Sequence, residues 1–312
     1  MSRFGFLGRR LLQLIPVAIG VTIITFFLIR LIPGDPVNAI LGNHYTEATA
    51  KAMRASMGLD KPLWQQYLIF VGNLARGNLG DSVYYGQSVL SLIGDRVAPT
   101  LWLVVYASVL ALLLAVPAAV LAALHRDGPL DQAIRGFFMA TLAMPAFFVG
   151  IILVLFFSVK LGLFPTTGYG DGFGDHMWHL FLPALTIALG FAGVLARSLR
   201  NSILSVMRAD YVDTARAKGV SGPQIMVRHI LRNAMLSTIT IFGVNVAFLL
   251  GSTVIVESVF ALGGVGQLLT DSISKRDYTV VQGVTLVIAA FVVLTNILTD
   301  LTYVLLDPRV RY

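Results

Sequence analysis

Long stretches without a charged side chain constrain this chain more than any other feature of its sequence. Asp, Glu, Lys, Arg and His are absent from six stretches of 17 residues or more: 11–29, 97–124, 136–159, 180–196, 233–256 and 278–299. About 20 consecutive apolar residues form a helix long enough to cross the roughly 30 Å hydrocarbon core of a bilayer. We therefore predict an all-α, polytopic membrane protein with six transmembrane helices.

The composition excludes the main soluble alternatives. Hydrophobic residues make up 56% of the 312-residue chain and charged residues 12%, whereas an ordinary soluble domain is about 25% charged. A soluble enzyme and a disordered chain are both incompatible with this balance. The chain has no cysteine, which excludes disulfide bonds, thiolate metal sites and cysteine nucleophiles.

A signal peptide is the alternative interpretation of the first apolar stretch, because Arg3, Arg9 and Arg10 precede it. The stretch is longer than the core of a usual signal peptide, and no cleavage motif of small residues follows it. We interpret it as a retained transmembrane helix.

Charge is distributed unevenly over the connecting segments. With six spans the two termini lie on one side, which carries 14 Lys and Arg residues and a net charge of +8, against −1 on the other side. Lys and Arg in short loops are enriched on the cytoplasmic side of membrane proteins. The distribution predicts cytoplasmic N- and C-termini, and it gives no support to nucleic-acid binding.

The spans and loops divide the chain into three predicted parts. Residues 1–32 hold the N-terminus and the first span, residues 33–96 form an extracytoplasmic lobe, and residues 97–312 form a five-helix core.

The lobe carries its own helix signals. One helix is predicted over 46–57 and is closed by Gly58; Pro62 begins a second, which Gly77 ends. Trp64 and an apolar stripe are expected to give the second helix a buried face, whereas the alternative, a disordered linker, would have none. The stripe consists of Leu63, Tyr67, Phe70, Val71 and Leu74.

Loop 197–232 is the clearest candidate for a functional segment. Its sequence predicts a short helix with small residues at 214, 215 and 217, and Gly219 can adopt the left-handed conformation that ends a helix. Ser221, with Gln224 three residues later, predicts a capping box at the start of the next helix. Such a short, bracketed helix suits the docking of a partner protein; the alternative is a solvated loop that serves orientation alone.

Residues 213–219 resemble the EAA loop of bacterial ABC-importer permeases, in which an acidic residue is followed by small residues and, six positions later, by glycine. Asp213, Ala215 and Gly219 occupy the matching positions. Thr214 departs from the first alanine of that pattern, and Arg232 stands in the place of a proline further on.

Motifs along nearly the whole chain are similar to the dipeptide, oligopeptide and nickel branch of these permeases. They lie at 31–36, 58–67, 77–82, 210–219, 257–260, 276–278 and 307–312. The turn at 263–266 departs from the branch, because it reads Gly-Gly-Val-Gly where the family usually has Pro-Gly-x-Gly.

The resemblance implies a type I ABC-importer permease fold with six transmembrane helices, cytoplasmic termini and a small external helical lobe. It implies half of a translocation pathway for di- or oligopeptides in the bacterial plasma (inner) membrane, with nickel or glutathione-like small solutes as the alternative cargo. It further implies a chain with no cofactor and no catalytic site of its own. The implied partners are a second homologous permease subunit, two ATPase subunits that bind ATP, an extracytoplasmic substrate-binding protein and the lipid bilayer. The sequence agrees in that it lacks a Gly-x-x-x-x-Gly-Lys-Ser/Thr phosphate loop.

The resemblance also implies which residues couple the permease to the ATPases. They are Asp210, Tyr211, Asp213, Thr214, Ala215, Arg216, Lys218 and Gly219. A bulky side chain at position 215 is expected to block the approach of the partner. The alternative for Asp213 is an ordinary helix acid that pairs with Arg216 or Lys218.

Polar residues of the apolar stretches are candidates for the translocation pathway, because unpaired polar groups are costly inside a membrane. Asn245 lies near the middle of the fifth stretch, where an interhelical hydrogen bond is the alternative role. Glu257 closes that stretch, where a structural cap is the alternative. His176 and His179 lie three residues apart in an outer loop, but two histidines alone do not define a metal site, and we predict none.

Two other classes of function fit the sequence less well. An ion-coupled secondary transporter is expected to carry ionisable residues inside its spans and an inverted repeat; the six stretches contain no such residues. A membrane-embedded enzyme needs a cluster of catalytic side chains at bilayer depth, and the same stretches offer none.

Overall fold

The computed structural model describes residues 15–27, 37, 46–56 and 58–306, and at 53, 56 and 300–306 it describes the backbone alone. The ends of the first predicted span and the whole of the motifs at 31–36 and 307–312 lie outside these residues.

Helices dominate the described residues. They are α1 (Ile15–Phe27), α2 (Glu47–Ser56), α3 (Leu63–Ala75), α4 (Val89–Leu124), α5 (Pro129–Ala143), α6 (Ala146–Lys160), α7 (Phe173–Val206), α8 (Asp210–Ala217), α9 (Gly222–Phe260), α10 (Val265–Ser274) and α11 (Tyr278–Leu306).

Four of these helices, α4, α7, α9 and α11, are long and apolar enough to cross a membrane, and α5 with α6 forms a fifth candidate span. These spans cover the second to sixth apolar stretches and confirm a multi-pass helical protein. The described part of the first stretch is the shorter apolar helix α1. The total of six spans therefore stays a prediction.

The third predicted span is not one straight helix. Its two halves, α5 and α6, meet at a bend of 108°. Pro145 has no N–H to continue the helix, and its ring disfavours helical geometry in the residue before it. Met144 accordingly has an extended conformation (φ −87°, ψ 137°). Pro99 and Pro117, by contrast, lie inside the continuous helix α4.

The fourth span is longer than predicted. The helix α7 begins at Phe173 rather than near Leu180, and Pro183 lies in its interior.

Residue contacts divide the chain into two compact units. In the unit formed by 99–263 and 294–311, α7 is the central helix. In its most apolar 18-residue segment 67% of the residues are buried, and it packs against α5, α6 and α9. One face of α4 contributes small residues to the same buried cluster, spaced four apart as one helix face requires. They are Ala107, Ala111, Ala115, Ala119 and Ala123. The division into the parts 1–32, 33–96 and 97–312 depends on the predicted sides of the membrane, and it stays a prediction.

The other unit, formed by 1–98 and 264–293 in the main, contains the predicted lobe. The helices α2 and α3 match the two predicted helices, and Gly58 (φ +67°) and Gly77 (φ +72°) have the left-handed backbone expected after them. Phe26 of α1 is buried and lies 5.3 Å, between ring centroids, from Tyr67 of α3.

The expectation of a fully buried face on α3 was wrong. None of its residues is buried, and Trp64 is 63% exposed. Tyr67, Phe70, Val71 and Leu74 are half-buried. Contact with α1 therefore covers only part of the stripe.

A buried ion pair joins α5 to α7. Asp131 is fully buried, and Arg200 donates from Nε to its Oδ1 at 2.8 Å and from Nη2 to its Oδ2. The backbone N–H of Asp127 donates to the same carboxylate at 2.9 Å. The apolar stretches lack ionisable residues, but the helices are longer than the stretches and carry these groups near their ends.

We expect Asp131→Asn to lower the free energy of unfolding by about 3 kcal/mol, because the buried Arg200 loses its hydrogen-bonded carboxylate and keeps only the exposed Asp127 carboxylate, 4.0 Å away. SDS unfolding in mixed micelles, followed by circular dichroism, measures this. Asp127→Asn is the matched control: its side chain is 69% exposed, and asparagine tolerates its positive φ. Equal losses in the two variants would contradict a special role for the buried pair.

Candidate functional site

The helix α8 presents two unlike faces. Val212 and Ala215 are buried in the chain's own core, and the side chains of its other residues are exposed. The outward face includes seven residues: Asp210, Tyr211, Asp213, Thr214, Arg216, Ala217 and, just beyond the helix, Lys218. The small size of Ala215 therefore serves packing within the chain, which differs from the expectation that it faces a partner.

Gly219 ends α8 as predicted. Its φ is +75°, its N–H donates to the Arg216 carbonyl at 2.9 Å, and the N–H of Val220 donates to the Ala215 carbonyl at 3.2 Å. These two bonds and the left-handed residue define a Schellman motif, which satisfies carbonyls at the end of the helix. An L-residue with a Cβ is strained in this conformation.

The predicted capping box does not form. Ser221 is the N-cap of α9 and has an extended backbone, but its side chain makes no capping hydrogen bond. Pro223 lies in the first turn, where its missing N–H leaves no donor unsatisfied. The Ile225 N–H donates to the Ser221 carbonyl at 2.9 Å, so the backbone alone starts the helix.

The charged residues of α8 lie at the surface. Arg216 donates to Asp213 at 3.0 Å, and both side chains are more than half exposed. An exposed pair of this kind contributes little to stability. Asp213 therefore pairs with Arg216, as in the alternative interpretation of this residue, and its carboxylate remains accessible to a partner. Lys218 forms no ion pair with any residue that the structure describes.

An apolar groove of about 620 Å³ opens beside α8. The end of α4, the residues before α8 and the first turns of α9 form its walls. The lining residues are Leu124, Met207, Arg216, Val220, Gly222, Pro223, Ile225, Met226, Val227 and Ile230. Sequence patterns missed this groove because its walls are far apart in the chain.

Tyr211 is tied to the following span. The side-chain N–H of Asn233 donates to the Tyr211 hydroxyl at 3.0 Å and to the His229 carbonyl at 2.8 Å. Together with the Schellman motif, this bond connects α8 directly to α9.

The two candidate pathway residues are held by their own surroundings. Asn245 is part-buried and donates to the Ile241 carbonyl one turn earlier in its own helix, at 2.8 Å, rather than to another helix. Glu257 is fully buried, and its carboxylate accepts a hydrogen bond of 2.7 Å from Thr100. Its backbone carbonyl also accepts from the left-handed residue Ala261 that ends α9. This geometry favours the structural role for Glu257.

The outer-loop histidines also contribute to local structure. His176 stacks on Tyr169, with ring centroids 3.9 Å apart, and His179 lies 3.3 Å from the Asp175 carboxylate. Among the residues that the structure describes, no three His, Asp or Glu side chains form a metal-binding group.

Two of the sequence motifs, at 77–82 and 276–278, meet in space. The Asp277 carboxylate accepts hydrogen bonds from the Ser82 hydroxyl and, at 3.2 Å, from the Tyr84 N–H. Lys275 lies 4.1 Å from the Tyr84 ring centroid and donates to the Tyr85 hydroxyl at 3.0 Å. These motifs therefore fix the turn before α4 to the segment before α11, a contact that sequence spacing could not reveal.

The arrangement of helices matches that of transmembrane subunits of ABC importers. The inward-facing MetNI methionine ABC transporter shares it at a TM-score of 0.59 and 19% identity, over 69% of this chain and 96% of that chain. At this identity the similarity defines the fold alone.

The chain belongs to the family described as "Binding-protein-dependent transport system inner membrane component", whose pattern matches residues 115–312. The N-terminal region of the same family of membrane components matches residues 1–104. The protein is thus a permease subunit of an ABC importer and a multi-pass protein of the bacterial inner membrane.

Relatives match along their whole length. The di/tripeptide transport system permease protein DppB of Pseudomonas aeruginosa (strain UCBPP-PA14) is 40% identical over 99% of both chains. The glutathione transport system permease protein GsiC of Escherichia coli O6:H1 (strain CFT073) is 37% identical over 99% of both chains.

We expect Gly219→Ala to destabilise the end of α8, because a Cβ at φ +75° costs about 1 kcal/mol. The amide of Val220 should then exchange its hydrogen about five-fold faster, which is the factor that this energy corresponds to. Gly222→Ala is the matched control, since Gly222 has no positive φ and no atom within 4 Å of an added Cβ. Equal exchange in the two variants would contradict the strained cap.

Proposed function

We propose that the chain forms half of a peptide translocation pathway and that α8 couples it to ATPase subunits on the cytoplasmic side. The single observation that carries the coupling role is the form of α8. It is a short helix with one exposed face, it is fixed to the rest of the protein through its buried face and its C-terminal end, and it lies next to an apolar groove.

Rigid attachment supports the coupling role. Val212 and Ala215 anchor one face of α8, the Gly219 cap fixes its end, and the Tyr211–Asn233 hydrogen bond joins it to α9. A movement imposed on α8 by a docked partner would therefore reach α9 with little loss in the intervening loop.

The outward face of α8 provides both charge and shape for docking. Asp213, Arg216 and Lys218 present both signs of charge at the surface. Charges at the edge of an interface set orientation and encounter rate more than affinity. The neighbouring apolar groove can supply the desolvated contact that an interface core needs.

The energy source belongs to the proposed partners. The sequence has no phosphate-binding loop of the Gly-x-x-x-x-Gly-Lys-Ser/Thr type, and we place ATP binding and hydrolysis on two ATPase subunits. The surplus of Lys and Arg at the termini and in the loops 125–135 and 197–232 supports a cytoplasmic position for α8, because Lys and Arg are enriched in cytoplasmic loops.

The second half of the pathway requires another permease subunit. One surface of α9 exposes large apolar side chains that its own chain does not cover: Val244 (53% exposed), Phe248 (72%) and Ile255 (51%). Contiguous exposed apolar surface in such a helix suits another subunit or lipid. A substrate-binding protein on the opposite side completes the proposed importer.

Di- and oligopeptides are the proposed cargo. The support is the similarity to a di/tripeptide permease over the full length of both chains. The similarity to a glutathione transport system permease keeps glutathione-like solutes as the alternative; nickel is the other alternative within the branch.

We expect Thr214→Trp to prevent co-purification of the ATPase subunits, because the bulky ring would stand on the exposed face of α8. The variant should stay in the membrane at the normal level, since Thr214 is not part of the core. Gln132→Trp, another exposed site on the predicted cytoplasmic side, should retain the ATPases. Normal co-purification and uptake in Thr214→Trp would refute the coupling role.

We expect cells that express the full transporter to accumulate a labelled dipeptide, and unlabelled tripeptide to compete with it. Glutathione and Ni²⁺ at the same concentration should compete weakly. The genes beside this one would supply the partner subunits. Strong competition by glutathione alone would reassign the cargo and leave the coupling role intact.

A further inference from the structure

A cavity of about 340 Å³, separate from the groove beside α8, lies between α4, α5 and α7. Small residues form its floor, including Ala119, Ala122 and Gly193. A Cβ on Gly193 would lie 3.1 Å from the Leu142 side chain and 3.2 Å from Phe138 Cβ. The space therefore depends on small side chains at these positions.

Three arginines and no acid line this cavity: Arg135, Arg197 and Arg200. Asp131, just behind the wall, binds Arg200 and lies 3.3 Å from Arg135. Asp127 also lies 4.0 Å from Arg200, and two carboxylates do not neutralise three guanidinium groups. Arg197 is exposed and forms no ion pair with any residue in the described part of the chain. The cavity thus carries a net positive charge that calls for an anion.

The chemistry of the lining favours an oxyanion such as a phosphate. Guanidinium groups bind phosphate through paired, charge-assisted hydrogen bonds. The Asn201 side chain, also in the lining, adds an uncharged hydrogen-bonding group. Together they form a polar mouth above an apolar floor.

The surroundings of the cavity distinguish a lipid from a soluble anion. A volume of about 340 Å³ lies near the lower limit of small-molecule sites, about 300 Å³, so it holds a headgroup but not acyl chains. Met139 of α5, which lines the cavity, is 60% exposed, so the cavity borders an apolar surface of the protein. Acyl chains can lie along this surface.

The position along the spans fits the same ligand. The cavity lies near the short turn 125–128, which joins the end of α4 to the start of α5, and near the end of α7 that leads to α8. By charge distribution this is the cytoplasmic side, where basic pockets between transmembrane helices bind anionic headgroups.

We propose that this cavity binds the headgroup of an anionic phospholipid of the cytoplasmic leaflet, with Arg135 and Arg197 as the main phosphate ligands. Arg200 supports the site from its ion pair with Asp131. The site is independent of which peptide is transported, and it concerns a region of the chain that the coupling segment does not use.

Native mass spectrometry of the assembled transporter can test this. The protein is equilibrated in detergent with phosphatidylglycerol or with phosphatidylcholine of the same acyl chains. We expect the wild type to retain phosphatidylglycerol in preference, and Arg197→Gln to weaken that retention about five-fold, as loss of one cation near an anionic lipid implies. Arg197→Gln breaks no ion pair with a described residue, so it should fold normally.

Arg208→Gln is the matched control, because Arg208 is an exposed arginine of the same side and does not line the cavity. It should retain the lipid as the wild type does. Equal retention of the two lipids by the wild type would overturn the proposal. Unchanged retention of phosphatidylglycerol in Arg197→Gln would overturn it too, and is the result expected if a partner subunit covers the cavity. Displacement of the bound lipid by millimolar inorganic phosphate would also overturn it in favour of a soluble anion.

Discussion

The membrane interior leaves a backbone polar group no water to bond to, and this constraint governs the structure. Each crossing segment must satisfy its own N–H and C=O groups, and a helix does so within one segment. The described spans accordingly run as long helices, up to 36 residues in α4. A positive-φ glycine or an extended residue precedes some of them, as Gly172 precedes α7 and Ser221 precedes α9. Only α5 and α6 depart from this arrangement.

Three polar side chains inside the fold follow the same constraint by pairing. Asp131 meets Arg200, Glu257 meets Thr100, and Asn245 bonds to a carbonyl of its own helix. The first two pairs join separate helices, and the third stays within α9.

The sequence predicted most elements but few contacts. Charge-free stretches located the spans, and glycines at 58, 77 and 219 located helix ends, because both signals are local. The sequence could not distinguish Pro145, at which the third span bends, from Pro117, at which α4 stays continuous, since neighbouring contacts decide between the two outcomes. Which face of α8 is buried depends on how the helix packs against the rest of the chain. This packing buries Ala215, which was expected to face a partner. The Ser82–Asp277 contact joins segments 195 residues apart, and no pattern in one sequence reveals it.

The break between α5 and α6 has a consequence for the environment of this surface. Pro145 cannot donate to the carbonyl of Thr141, and residues 142–145 are exposed in the isolated chain. Irregular backbone at membrane depth is tolerated only against protein or beside a water-filled cavity. Hydrocarbon tails therefore cannot solvate this elbow, and the surface around Met144 must be wet or covered by another subunit when the protein is in the membrane.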